Sequence, residues 1–170
     1  MFVGFTQLEA SLVIDVLARN SSLSPVNLDA LPTYRLYGPS GLMDSGTGTC
    51  TLKESGSVTG ATNASPIVVT SASHGLTTGT RVTIASVLGN TGANGTHTIT
   101  LVDTNSFSLD GSAGTGAYTS GGTWNTTGMY TLTVSALAAQ GYEAGVTYTV
   151  LVSGALSATA WADLHTFLVG

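Results

Sequence analysis

Apolar and polar residues alternate with a period of two along much of this chain. That spacing sets one face of a strand on a core and leaves the other toward solvent. It is cleanest in Met129–Val134 (MYTLTV) and Thr147–Ser153 (TYTVLVS), and it predicts a last strand over Trp161–Val169. Leu8–Leu17 (LEASLVIDVL) alternates or runs apolar and predicts another strand. Asn20–Pro25 is a cluster of turn formers. Thr33–Tyr37 predicts a short strand stopped by Gly38-Pro39-Ser40-Gly41, and Leu42–Leu52 a further strand or strand pair. Ala136–Gly145 is Ala-rich and predicts a turn or a single helical turn capped by Gly141 and Gly145.

Between Gly56 and Trp124 the character changes to Gly, Thr, Ser and Asn with almost no charge. Four short strands are predicted there, over Pro66–Ala72, Arg81–Val87, Gly95–Val102 and Ser106–Asp110, with a fifth at Gly122–Trp124. The separators (His74-Gly75-Leu76, Gly89-Asn90, Asp103-Thr104-Asn105 and Gly111–Gly116) are turn chemistry. Short strands at such intervals describe a small barrel or curled sheet. The expected organisation is therefore a split all-β chain. Residues 1–54 and 125–170 supply about seven strands of a β-sandwich, and residues 56–124 form a small β-barrel-like module inserted in one of its hairpins. Such an insertion is tolerated because the two ends of a hairpin loop already lie close together.

Composition narrows the function classes. Of the 170 residues, 42% are hydrophobic, which together with the alternation excludes a disordered chain. Only 8% are charged, about a third of the usual share. Nine acidic and four basic residues give a net charge of −5. One lysine and three arginines cannot neutralise many phosphates, so neither nucleic acid nor an anionic membrane surface is an expected partner. Met1–Gln7 does not read as a secretory signal. The single cysteine, Cys50, rules out an internal disulfide and a thiolate metal cluster, and is expected to be a small buried hydrophobe.

Particular residues then carry a resemblance. Ala61–Thr70 (ATNASPIVVT), His74–Ile84 (HGLTTGTRVTI), Gly89-Asn90-Thr91, Ala93–Thr96, Phe107–Ser112 and the closing Gly116–Trp124 (GAYTSGGTW) resemble a small β module of tailed-bacteriophage structural proteins. That module is known for its likeness to the first catalytic-cysteine half-domain of ubiquitin-activating enzymes. The half-domain is an accessory piece without the adenylating site or the catalytic cysteine, so the resemblance implies no enzymatic activity. Leu31–Pro39 (LPTYRLYGP) and Gly141–Tyr148 (GYEAGVTY) resemble immunoglobulin-like segments of phage head-decoration and tail-fibre proteins. The two resemblances imply an immunoglobulin-like β-sandwich and a role in virion assembly.

Candidate chemistry is sparse. No Gly-x-Ser-x-Gly elbow or other nucleophile signature is present. His74 opens a Gly-Leu-Thr-Thr-Gly turn, where its ring is expected to satisfy local backbone groups. His97 alternates with Thr96 and Thr98 and is expected at a surface or in a cross-strand pair. A strand places His165 poorly for contact with Trp161. Asp103-Thr104-Asn105 with Asp110 lacks the carboxylate spacing and closing Glu of a calcium loop and reads as a turn. Gly48 and Gly111–Gly116 lack the lysine of a phosphate loop. Tyr130 and Tyr148 fit core faces, and Trp124 is expected to pack where the chain returns to the outer domain. Tyr118, with Thr119 and Ser120, forms the expected exposed partner-contact loop.

No catalytic residue, cofactor or metal is expected. The first functional expectation is a capsid decoration or cement protein. It would be made in the bacterial host cytoplasm and bind the major capsid protein on the outer surface of the head as a homo-oligomer, a trimer by preference. The module would be displayed outward. The alternative is a tail-fibre, baseplate or receptor-binding component among tail proteins, attaching to host-surface glycan through Tyr118 and its neighbours.

Overall fold

The computed structural model describes residues 2–7 and 9–170 and is all-β, with no α-helix among the described residues. It divides into two compact units, one made of the chain up to Thr51 together with Gly128–Gly170, the other of Leu52–Thr127.

The first unit holds two sheets. One has five strands: β1 (Phe2–Thr6), β15 (Thr159–Val169), β14 (Thr147–Leu156), β3 (Thr33–Gly38) and β4 (Gly41–Thr49), in that spatial order. β1 runs parallel to β15 and the other pairs are antiparallel. The second sheet sets β2 (Ala10–Leu17) and β5 (Thr51–Leu52) on either side of β13 (Met129–Ala136). The strand expected over Leu8–Leu17 thus begins in the structure at Ala10; Leu8 lies outside the described residues.

Period-two alternation explains which faces are buried. Tyr130, Leu132, Val134 and Ala136 of β13, Tyr148, Val150 and Val152 of β14, and Phe167 and Val169 of β15 are all buried, with polar or half-buried residues between them. Tyr34 and Leu36 of β3 line one cavity of about 150 Å³ with Thr133, Val134 and Ser135 of β13, so the buried rows of the two sheets face each other there. At one end of this interior Tyr148 stacks on Phe167 with centroids 5.8 Å apart, and Tyr142 lies 4.8 Å from Tyr148. Burial pushes the Tyr142 hydroxyl up to about 12.

Two connections are instructive. Ala136–Gly145 contains a single 3-10 turn, Ala138–Gln140, ended by Gly141 at φ 87°, a left-handed conformation suited to glycine. The β14–β15 hairpin turns on Ser157 and Ala158, both at positive φ without being glycine. The Asp29 carboxylate accepts hydrogen bonds from the N–H groups of both, at 2.9 and 2.8 Å. Those two donors hold the Asp29 carboxyl below its ordinary value. A residue remote in sequence therefore supplies what Asn-Gly supplies in an ordinary two-residue hairpin.

The second unit is a seven-stranded antiparallel sheet. Its order is β6 (Ser55–Ser57), β12 (Thr123–Thr126), β9 (Arg81–Ala85), β10 (Gly95–Asp103), β11 (Ser106–Leu109), β8 (Ile67–Thr70) and β7 (Gly60–Ala61). β6 and β7 are terminal in this order, so the sheet is an open half-barrel, the curled form of the small barrel or curled sheet expected from the sequence. Both are short pieces, Ser-Gly-Ser and Gly-Ala, with no side chains large enough to anchor a closing pair. Ile67, Val69, Val82, Ile84, Ile99, Phe107, Leu109 and Trp124 fill its core. Loops are tied down by side chains. Buried Asn90 donates to the Thr62 carbonyl and accepts from the Thr115 N–H. Ser112 Oγ accepts from the Ile67 N–H and donates to the Leu109 carbonyl.

Candidate interaction site

In the first unit, the outward face of the five-stranded sheet is the broadest surface whose residues can be ordered from strand register. Directly opposed residues share a face, so Phe2, Thr166, Thr149, Tyr37 and Leu42 form one row across all five strands. Leu164, Leu151, Arg35 and Thr47 form the next. Phe2, Leu42 and Leu164 are about half exposed, at 53%, 51% and 50%. Arg35 is the one charged residue in the two rows. At ordinary strand spacing and rise the sheet tiles roughly 700 Å², close to the ~800 Å² per partner of a standard protein interface.

The second unit holds the expected partner-contact loop. Thr119 and Ser120 are exposed. Tyr118 is half-buried: its ring packs on the core, and its hydroxyl lies 3.0 Å from the carbonyl oxygens of both Val58 and Gly121. The Thr119 N–H donates to the Leu88 carbonyl and the Leu88 N–H to the Ser120 carbonyl, so the loop is a tethered ridge with the tyrosine acting as its anchor.

His74 is buried in the same unit. Its Nδ1 accepts from the Leu76 N–H at 3.0 Å, which places the ring proton on Nε2, 2.9 Å from the Asp103 carbonyl oxygen. Phe107 meets the ring edge-on. Ser71 is nearby in the lining of one cleft, yet its hydroxyl receives the Trp124 indole N–H at 2.8 Å. With both imidazole nitrogens committed to backbone, His74 does not activate that serine. The Asp103 carboxylate accepts from the Asn105 N–H, and Asn105 Oδ1 from the Ser73 N–H, the hydrogen bonds of a turn. Asp110 accepts from Thr100 Oγ1. Among the described residues no group of three or more His, Cys, Asp and Glu could hold a metal ion.

The other histidines lie on strands. His97 is half-buried opposite Val82, and His165 is 1% exposed with its Nε2 3.1 Å from Asp163 Oδ2. Cys50 is buried, and loss of hydration pushes its thiol from 9.0 up to about 11. Burial favours the protonated form, so this contribution to stability is intact below the ordinary value and is lost as pH rises from 9.0 toward about 11. At pH 8 the native thiol is expected to react roughly a hundredfold more slowly with a disulfide reagent than in urea-unfolded protein. Comparable rates in the two states would place the sulfur in solvent.

Residues 64–127 match a family model described as the ubiquitin-activating enzyme E1 FCCH domain. The match runs from just before β8 through β12 and ends at the boundary of the second unit. No curated protein matches the chain.

Proposed function

We propose that this protein is a bacteriophage virion component, a capsid decoration protein that docks on the head lattice through the outward face of the five-stranded sheet. In this reading the two sheets of the first unit form an immunoglobulin-like sandwich. The FCCH-like unit is an insertion between β5 and β13, which are neighbours in one sheet. The sheet face carries the proposal: large apolar side chains interspersed with threonines, one guanidinium and an area of interface size. A capsid gains stability from such a ligand because every bound copy favours the assembled over the dissociated shell. A homo-oligomer, a trimer by preference, would present several such faces at once and raise avidity. Supporting the virion assignment are the resemblance of both parts of the chain to phage structural proteins and the scarcity of surface charge.

The test is co-sedimentation with undecorated capsids and a copy count on purified particles. Wild type is expected to pellet at hundreds of copies per particle, and the Leu151→Glu/Leu164→Glu double variant to stay in the supernatant while keeping its circular-dichroism spectrum. A copy number of ten or fewer, or full binding by the variant, refutes the head assignment through this face.

A further inference from the structure

We infer that the groove between β2 and the first half of β15 binds a neutral saccharide. The groove lies within the first unit and has a volume of about 490 Å³, within the ordinary range for small-molecule sites. Asp15 and Arg19 line it from the β2 side, Trp161, Asp163 and His165 from β15. Trp161, Asp163 and His165 alternate with Ala162 and Leu164, so they occupy the face of β15 opposite the Leu164 row. The site is thus separate from the docking face, and the inference stands without the capsid assignment.

The lining has the two parts that a sugar requires. Trp161 is half-buried, in contrast to Trp124 at 2% exposure with its N–H bonded. A partly exposed indole offers a flat apolar surface for the C–H face of a pyranose ring. Around it stand polar groups already fixed in orientation. Asp163 Oδ1 accepts the Leu164 N–H at 2.9 Å, and Oδ2 lies against His165 Nε2. The Asp163 side chain keeps 37% exposure, which leaves acceptor capacity for hydroxyl donors. Arg19 Nη1 donates to the Leu23 carbonyl at 2.7 Å, which steadies the guanidinium and leaves its other N–H groups to donate. His165, which also lines the groove, is 1% exposed, and neither of its buried ring nitrogens has a hydrogen-bond partner.

Charge selects within the sugar class. Two carboxylates against one guanidinium disfavour phosphate, sulfate and acidic sugars, and Arg19 disfavours a cation. A hydroxyl-rich neutral ring, which both donates and accepts, matches this mixed lining.

The experiment is a titration of the full chain with glucose, galactose, mannose, N-acetylglucosamine and their disaccharides, read by tryptophan fluorescence and saturation-transfer NMR. Sialyllactose serves as the acidic control. Saturable binding of at least one neutral sugar is expected at millimolar affinity. Trp161→Ala is expected to weaken it about tenfold or more, and Asp163→Asn about tenfold, the usual worth of a charged hydrogen-bond partner. Trp161→Phe keeps an apolar platform and is expected to stay within about threefold of wild type, which separates the platform from any effect on folding. Absence of saturation across the panel overturns the inference, as does undiminished binding by Trp161→Ala or a preference for sialyllactose.

Discussion

Replacing Phe107 by alanine is expected to cost the Leu52–Thr127 unit about 3–5 kcal/mol, the usual range for a buried phenylalanine. The ring is fully buried on β11, and it meets His74 edge-on at 5.1 Å and Trp124 at 6.0 Å between centroids. Those neighbours cannot collapse into the space. His74 is pinned by the Leu76 N–H and the Asp103 carbonyl, and the Trp124 indole by Ser71. A unit of this length has a total stability on the order of 4–11 kcal/mol, so the variant should sit at or past its folding limit. In a Trp161→Phe background the remaining tryptophan, Trp124, reports the transition directly. A urea midpoint equal to that of the parent would show that the ring is not part of a close-packed core.

Tyr148→Ala is the corresponding test in the first unit, with a similar expected loss of about 3–5 kcal/mol. The side chain is 1% exposed and stacks on Phe167 beneath Tyr142. Its hydroxyl accepts the Glu143 N–H at 2.8 Å and donates to the Gly141 carbonyl, so it also fixes the turn before β14. Tyr148→Phe keeps the stack and removes only the hydroxyl, and should cost about 1–2 kcal/mol. Chemical denaturation followed by near-ultraviolet circular dichroism separates the two. Equal losses would assign the stabilisation to the hydrogen bonds instead of the aromatic packing.

Much of this fold was legible because its strands carry large residues at alternate positions. Ile67–Thr70, Arg81–Ala85 and Met129–Ala136 bury the residues that their alternation marks as core. β6 and β7 were invisible for the converse reason. Ser-Gly-Ser and Gly-Ala have no pattern, and they are strands only because β12 and β8 offer them partners. β1 was hidden by distance, since its partner is the last strand of the chain. The β14–β15 turn carried no glycine or asparagine signal because Asp29 does that work from the other end of the sequence.

Sites followed the same division. The turn role of His74 could be read from its Gly-Leu-Thr-Thr-Gly context, since the groups it binds include its own near neighbour Leu76. Tyr118 stood among glycines and read as exposed, while the carbonyl groups of Val58 and Gly121 hold its hydroxyl. The Trp161 groove was not foreseen: Asp15 and Arg19 are brought to it from more than a hundred residues away.

By itself, then, the sequence determined the β class, the core face of each well-patterned strand and the local turns, because alternation and turn chemistry act over two to four residues. Only the tertiary structure decided strand order, the open edges of the half-barrel, which side chains share the outward face of the five-stranded sheet and the composition of the groove. Each of these depends on which distant backbones exchange hydrogen bonds, and a pairing partner leaves no mark on the strand that awaits it.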